Sequence, residues 1–565
     1  MKFSEMQYRR PDLAAALAES ARLEAEAKAA AGDAALVEVY RAVDRFESHW
    51  GTMARLANIH YTQDTRDAYW AAEQDFFDEN SPALANAQIR VAKAMLENPH
   101  AAALDKAFGE VVTPSLKNAV LGSDERVLEL QKEENALSSQ YQKLYGGAMV
   151  TFDGKELTIP QLAAYKESLD PAVRRAAYEA EGGYFDAHRA EFDAIYDKMV
   201  KNRNEQAHTL GYKDYSELSY VRMNRLGYGP AEVAAYRAAV KESIVPQVDK
   251  LMRLRRKRAG LPEDAKFWDS PVAFADGNPK PIGTKAERMA NCRTMYHELS
   301  GETAQFIDFM QDNDLFDVES RPGKMSGGYE ELIPDYKSPF IFANWNGTSA
   351  DIDVLTHEAG HAFEAWLAAQ DANIPNSVAC PGMESAEIHS MSMEFLTSPW
   401  HHLFFGGDTA KYELAHAEDS FFFLPYGCIV DEFQHIMYQQ PALTPDERNA
   451  VWLELEKKYR PWNDFADLPF YSRGAGWQRQ LHIYECPFYY IDYCLAQTIA
   501  LQFFAAQLHD PKDAWKRYLA LTKCAGSKTY AGLVETAGMQ VPFAPGSLEK
   551  VADTVAAWIE SHQKV

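Results

Sequence analysis

Two histidines and the glutamate between them have the types and spacing of a hydrolytic metal site. His357 and His361 lie four residues apart in His-Glu-Ala-Gly-His, so on a helix their side chains point the same way and can bind one cation. Glu358 lies about 100° around that helix, where it can act as a base on a water without being a ligand. Two neutral imidazoles, one more carboxylate and one open position make a zinc site that catalyses hydrolysis.

Glu387 is predicted to supply the third ligand. The segment Met383–Leu396 is typical of a helix with Glu384, Glu387 and Glu394 on one face, since spacings of three and seven return to the same side. Glu387 follows His361 by 26 residues, which gives the chain room to turn and come back antiparallel. Glu384 is the alternative ligand, and Glu394 is a candidate to accept the ring N–H of a ligand histidine.

The two histidines belong to a predicted, mostly buried helix. Apolar residues recur at helical spacing over positions 352–366. Thr348 and Asp351, just before them, have the spacing of a capping box, with Asp in place of Glu or Gln. The alternative is an amphipathic core helix whose histidines hydrogen-bond within the protein. Buried imidazoles need polar partners, however, and one zinc ion serves both.

A strand is predicted immediately before this helix, over residues 341–345. As an edge strand it would hold an extended peptide by main-chain hydrogen bonds, and the alternative is an ordinary sheet strand without that role. Gly327 and Gly328 are candidates to let a substrate backbone approach closely. Asn344 and Asn346 are further candidate substrate-binding residues.

These motifs resemble the oligoendopeptidase F branch of the thimet oligopeptidase family, which are zinc metallopeptidases that cut short peptides. The segments that carry the resemblance are 340–348, 357–361 and 387–394, with weaker matches at 152–158, 169–175 and 482–493. The resemblance implies a mainly α, ellipsoidal fold of gluzincin type, with a small β-sheet beside the metal helix. It also implies a narrow channel around one zinc ion, which admits oligopeptides and excludes folded proteins.

A polar and aromatic cluster near the carboxyl end is the candidate source of further catalytic groups. Aromatic residues at helical spacing usually belong to a core. A zinc peptidase, however, needs neutral donors for the developing oxyanion. The resemblance favours His482 with Tyr490 or Tyr493 in that role, Tyr489 is a further candidate, and the phase of the helix decides among the tyrosines.

Most of the chain is predicted to be helical, in two regions. Residues 1–200 form an amino-terminal helical region with a hairpin near 148–159, where Asp153-Gly154 is the turn signal. Residues 201–565 form the catalytic region. Prolines and glycines predict a loop-rich stretch over 260–284.

Composition narrows the function classes. The chain has 565 residues and a net charge of −25, which argues against nucleic acid as a partner. Its six cysteines show no paired spacing and suit free thiols in a reducing compartment. Without an apolar leader or a run long enough to span a membrane, the sequence predicts a cytoplasmic protein.

The sequence therefore predicts a zinc-dependent endopeptidase that cuts short, unfolded peptides, with His357, His361 and Glu387 as ligands and Glu358 as the general base. The first alternative is a zinc carboxypeptidase or dipeptidase on a related helical fold. Such an enzyme needs a cation for the substrate carboxylate, for which Arg473 or Arg479 could serve. The second alternative is a zinc protein that binds peptides without cleaving them. The oligomeric state is not predicted.

Overall fold

The computed structural model of the protein describes residues 1–379 and 382–565. Helices make up 71% of it, so the prediction of a mainly α fold is confirmed. The helices before the metal helix are α1 (Leu13–Ala29), α2 (Asp33–Gln63), α3 (Ala68–Glu97), α4 (Ala102–Phe108), α5 (Val112–Leu121), α6 (Leu128–Gly146), α7 (Ala163–Lys166), α8 (Pro171–Ala187), α9 (Arg189–Thr209), α10 (Tyr215–Arg222), α11 (Pro230–Ala239), α12 (Val245–Arg258), α13 (Lys285–Leu299) and α14 (Gly301–Asp312). The metal helix and those after it are α15 (Ala350–Gln370), α16 (Met383–Leu396), α17 (His402–Phe405), α18 (Thr409–Gln439), α19 (Pro445–Tyr459), α20 (Pro469–Ser472), α21 (Leu481–Glu485), α22 (Tyr490–His509), α23 (Pro511–Thr522), α24 (Tyr530–Thr536) and α25 (Ser547–Ser561).

Two small sheets complete the fold. The predicted hairpin is confirmed as β1 (Met149–Phe152) paired antiparallel with β2 (Lys155–Thr158). Its turn residues Asp153 and Gly154 have φ angles of 51° and 69°, which a two-residue turn of type I′ requires. The second sheet, which lies beside α15, contains β3 (Phe316–Glu319), β4 (Tyr329–Ile333) and β5 (Ser338–Trp345).

The strand before the metal helix is not an edge strand. The order in the second sheet is β3-β5-β4, with β5 parallel to β3 and antiparallel to β4. Both edges of β5 are therefore occupied, so the edge-strand interpretation is wrong and the alternative, an ordinary sheet strand, is the one observed. The sequence showed no signal for β3, which pairs across more than twenty intervening residues.

Four helices form the frame of the candidate site. α16 packs between α15 and α22, and α22 also packs along α18. Most residues of α22 are buried, and its apolar side chains share one large core with those of α15 and α16. A helix that is apolar nearly all round is held by neighbours on every side, so this frame fixes where polar residues on its members point.

The amino-terminal helices have smaller cores of their own, in which α2 packs on α3 and α4. A cleft of about 1260 Å³ lies between α2, α3 and α5 and reaches Glu331 on β4. The predicted boundary at residue 200 falls inside α9, and the division into two regions stays a prediction. The loop-rich stretch 260–284 has a single short 3₁₀ turn, Phe267–Asp269, as its regular structure.

The structure also bears on the cysteines and on membranes. Five cysteines are free thiols, Cys292, Cys428, Cys486, Cys494 and Cys524, whereas Cys380 lies outside the described residues. Within the described ranges, no helix combines the length and apolar character needed to cross a bilayer.

Candidate metal centre

The three predicted ligands converge. The ligand atoms of His357, His361 and Glu387 all lie within 4.8 Å of one another. Oε2 of Glu387 is 3.3 Å from Nε2 of His357 and 3.5 Å from Nε2 of His361. Ligand atoms about 2.1 Å from a tetrahedral zinc ion lie about 3.4 Å from one another. The spacing and the donor types therefore fit zinc, with one coordination position left for water or substrate.

A glycine inside the motif lets the third ligand come this close. A Cβ at Gly360 would lie 2.5 Å from the carbonyl oxygen of His389 and 2.7 Å from Cα of Ser390. Both residues belong to α16, so the two helix backbones touch at this point. Any larger side chain at position 360 would push α16 away and take Glu387 out of reach of the histidines. Nothing in the spacing of the motif indicates this role of Gly360, because it depends on a second helix backbone.

A second carboxylate orients the first histidine, as predicted. Oε1 of Glu394 lies 2.7 Å from Nδ1 of His357, which leaves Nε2 of that ring for the metal. Oε2 of Glu394 lies 2.7 Å from Nε2 of His416 on α18. Burial raises the pKa of the Glu394 carboxyl, but the bonds to both rings outweigh burial and lower that pKa to about 2. No sequence signal points to His416, which lies on a distant helix without a motif.

Glu358 is close to the metal ligands without belonging to them. Its side chain is buried, with 8% of its surface exposed. Burial raises the pKa of this carboxyl above its ordinary value, as suits a group that must hold a proton during a reaction. A Cβ at Gly328 would lie 3.5 Å from Oε1 of Glu358, so the predicted glycine does lie against the predicted base.

His482 and the tyrosines meet beside Glu387. The His482 ring centroid is 4.8 Å from that of Tyr490, 5.8 Å from that of Tyr493 and 5.9 Å from that of Tyr489. Tyr489 differs from the others because its O–H donates to Oε1 of Glu387 at 2.6 Å. Burial and the negative charge of Glu387 raise the pKa of Tyr489 far above its usual value, so this hydroxyl stays protonated and is committed to the ligand.

His482 is neutral and has a defined tautomer. Burial lowers its pKa to about 4. Its Nδ1 lies 2.8 Å from Nε2 of Gln480, while Oε1 of that amide accepts the Tyr426 hydroxyl at 2.7 Å. Because an amide nitrogen only donates, Nδ1 accepts in this arrangement and Nε2 carries the proton. His482 can therefore donate a hydrogen bond to an oxyanion without carrying charge.

The other predicted residues serve loops and turns. Nδ2 of Asn344 donates to the carbonyl oxygens of Met325 and Gly327 at 2.8 and 2.9 Å, so Asn344 holds the loop that precedes β4. Oδ1 of Asn346 accepts both the N–H and the hydroxyl of Thr348. These contacts shape the wall of the site, and direct contact of either asparagine with substrate stays a prediction.

The predicted capping box of Thr348 and Asp351 does not form. The N-cap of α15 is Ser349, and the Asp351 carboxylate accepts the N–H groups of Asn346 and Gly347 at 2.7 and 2.9 Å. Gly347 has a φ of 86°, which turns these N–H groups back towards the helix. The predicted residues do lie at the start of the helix. The Asp351 carboxylate, however, bonds N–H groups four and five residues earlier, whereas a capping box joins residues three apart.

Replacing His482 with phenylalanine is expected to lower kcat for peptide hydrolysis by roughly 10²–10³-fold and to change KM by only a few fold. The reason is that phenylalanine lacks the predicted neutral donor, which would act on charge that develops only in the transition state. Gln480→Leu, which frees the tautomer but keeps the ring, should give a smaller loss. Steady-state kinetics on one fluorogenic peptide compares the three proteins. A kcat of His482→Phe within threefold of the unmodified protein would contradict this role.

Two protein-family profiles match this chain. A Peptidase M3 N-terminal domain profile matches residues 3–121. A Peptidase family M3 profile matches residues 164–275 and 304–552. Together the two profiles cover well over half of the chain, and the chain therefore belongs to peptidase family M3.

Three individual relatives show which members of that family the chain is similar to. PZ peptidase A, solved with inhibitor 2, has a TM-score of 0.94 and 39% identity, with all of both chains covered. A structure assigned to oligoendopeptidase F has a TM-score of 0.94 and 41% identity, again over all of both chains. Group B oligopeptidase PepB of Streptococcus agalactiae is 24% identical over 69% of this chain and 63% of its own length. The predicted resemblance to the oligoendopeptidase F branch is confirmed.

Proposed function

We propose that the protein is a zinc-dependent endopeptidase that hydrolyses internal bonds of short, unfolded peptides, with one zinc ion per chain. The observation that carries the proposal is the convergence of the ligand atoms of His357, His361 and Glu387 beside a buried glutamate outside that group. When bound, zinc polarises the scissile carbonyl and lowers the pKa of water. A site that only stabilises structure has four protein ligands and needs no base.

The chain's own residues supply the proton transfers and the oxyanion donors. Glu358 takes a proton from the attacking water and passes it to the leaving amine. His482 donates its Nε2–H to the oxygen of the tetrahedral intermediate. Tyr490 and Tyr493 lie within reach of the same ring and are the remaining candidate donors, since the Tyr489 hydroxyl is bonded to Glu387.

The outer edge of β4 is the proposed path of the substrate, in place of β5. β3 and β4 are the two edge strands of the second sheet. Within the described residues, no strand pairs with the edge of β4 that faces away from β5. The strand starts next to Gly328, which lies against Glu358, and its residue Glu331 lines the large cleft. Three residues of strand span about 10 Å, so a peptide extended along β4 would run from the base directly into the cleft. A substrate that continues on the far side of the scissile bond is what an endopeptidase requires.

The carboxypeptidase alternative lacks a free cation at the predicted positions. Arg473 forms an ion pair with Asp186. Nη1 of Arg479 lies 3.8 Å from Glu181 and 3.4 Å from the hydroxyl of Tyr471. The charge of each guanidinium is therefore already paired with a carboxylate of the chain. A substrate carboxylate would have to compete with that partner, and the endopeptidase is favoured.

Peptides with both ends blocked test the proposal. We expect internal cleavage of blocked peptides of about five to fifteen residues, little cleavage of a folded protein, and loss of activity with a chelator that zinc restores. Mass spectrometry of the products measures where each bond is cut. Release of single carboxy-terminal residues from free-ended peptides alone would support the carboxypeptidase instead.

A further inference from the structure

A strained turn lies between His482 and the tyrosines. Phe488 has a φ of 68°, a backbone conformation that residues other than glycine rarely adopt. The Phe488 side chain is fully buried. Such a conformation persists only when the surroundings determine it, and it often occurs beside functional groups.

Two buried side chains hold both polar groups of this residue. The N–H of Phe488 donates to Oε1 of Gln434 at 2.9 Å. Its carbonyl oxygen accepts from Nη2 of Arg225 at 2.6 Å. The same Nη2 donates to Oδ1 of Asp492 at 2.6 Å, and the side chains of this ion pair are both 0% exposed. Arg225 thus links the backbone of Phe488 to Asp492 in the first helical turn of α22.

Tyr489, the residue after Phe488, connects this turn to the metal centre. Tyr489 donates its hydroxyl to Oε1 of Glu387, and Ser390 donates to Oε2 at 3.0 Å. Oε2 is the oxygen that faces the two imidazoles. Because Tyr489 occupies the other oxygen, it fixes the rotation of the carboxylate and presents Oε2 to the metal.

We infer that Arg225 and Tyr489 are positioning residues for the ligand Glu387, with Arg225 acting through the backbone of Phe488. The inference rests on the proposed zinc site but adds residues that lie outside its ligand set. It also gives Tyr489 a role distinct from that of an oxyanion donor. Partners of this kind typically change metal affinity by about 10–100-fold when they are removed.

The way Arg225 is used argues for this role over simple stabilisation. Its two hydrogen bonds run from one nitrogen and end on the segment 488–492. Arg174, by comparison, is equally buried and uses three nitrogens on Asp269 and on the carbonyl oxygens of Ser168 and Leu169. Burying an arginine is costly. At Arg225 both hydrogen bonds hold the segment beside Tyr489, and the guanidinium also lies 4.3 Å from the ring centroid of Tyr220.

The test compares Tyr489→Phe, Arg225→Met and the double variant with Arg174→Met as the matched control. Zinc affinity is measured by competition with a chelator, and kcat and KM are measured on the zinc-loaded proteins. We expect each of the first two changes to weaken zinc binding by about 10–100-fold. The double variant should be no more than about threefold weaker than the worse single variant, because both residues act on one carboxylate.

Arg174→Met should lower the melting temperature and leave zinc affinity within threefold of the unmodified protein. If Arg225→Met does not fold, Arg225→Lys replaces it, since lysine keeps the charge opposite Asp492 but lacks the planar fork. Unchanged zinc affinity in Tyr489→Phe, or fully additive losses in the double variant, would overturn the inference. An unmodified protein that binds no zinc would refute the proposed metal site itself, which is a separate result.

Discussion

Glu358→Gln is expected to bind zinc as tightly as the unmodified protein and to hydrolyse peptides on the order of 10³–10⁴-fold more slowly. Glutamine has the size and shape of glutamate, so the packing of this buried side chain is preserved. The amide cannot accept the water's proton, however, and the leaving amine receives none. Mass spectrometry of the intact protein measures whether zinc is retained, and kcat on one peptide measures the loss of hydrolysis.

Glu364→Gln is a matched control for that experiment. Glu364 lies on the same helix, is similarly buried with 6% of its surface exposed, and is not a member of the ligand group. Its replacement should leave kcat within a few fold. If Glu358→Gln retains more than a tenth of the unmodified turnover, another group must be the base and the proposed mechanism is wrong.

The parts of the site that the sequence predicted are those with local signals. His357 and His361 share one helix, so their spacing alone places both side chains on one face. Glu387 and Glu394 are seven residues, or about two helical turns, apart, so both carboxylates lie on the side of α16 that faces α15. The contacts of His361 with Glu387 and of His357 with Glu394 show that α16 runs antiparallel to α15, as the 26-residue spacing allows.

The parts that the sequence did not predict depend on contacts between distant segments. His416 and Gln480 reach the site from helices and turns that carry no motif. The position of β5 within its sheet depended on β3, whose short sequence Phe-Asp-Val-Glu gives little strand signal. Gly360 belongs to the motif, but the need for glycine there follows only from the backbone of α16, which lies against it. The choice among the tyrosines likewise required the turn at Phe488, which no helical period anticipates.

Location, partners and substrate contacts stay predictions. The exclusion of nucleic acid depends on net charge, and the cytoplasmic location depends on the cysteine spacing and on the apolar segments of the sequence. The substrate contacts of Asn344 and Asn346 depend on where a bound peptide lies along β4. Both asparagines already have intramolecular bonds, so a peptide would have to use their remaining donors and acceptors.

Glu387→Gln is expected to weaken zinc binding by more than about 100-fold and to abolish measurable hydrolysis at ordinary zinc concentrations. Loss of a partner to a ligand typically costs about 10–100-fold in metal affinity, and loss of the charged ligand itself should cost more. Glutamine offers a neutral oxygen in the same place, so the helices can pack as before while the electrostatic attraction for the ion falls. Chelator competition measures the affinity, and kcat at saturating zinc shows whether activity returns.

Glu384→Gln tests whether Glu387 or its neighbour Glu384 on the same helix is the third ligand. Glu384 was the alternative ligand, is also buried and lies one turn before Glu387, but it does not join the group of atoms that could hold a metal. Its replacement should keep zinc affinity within about tenfold, since it removes a charge outside the ligand set. If Glu384→Gln lost zinc and Glu387→Gln kept it, the identity of the third ligand would be reversed. Equal losses in both variants would show that the charge of α16 as a whole, rather than one carboxylate, holds the ion.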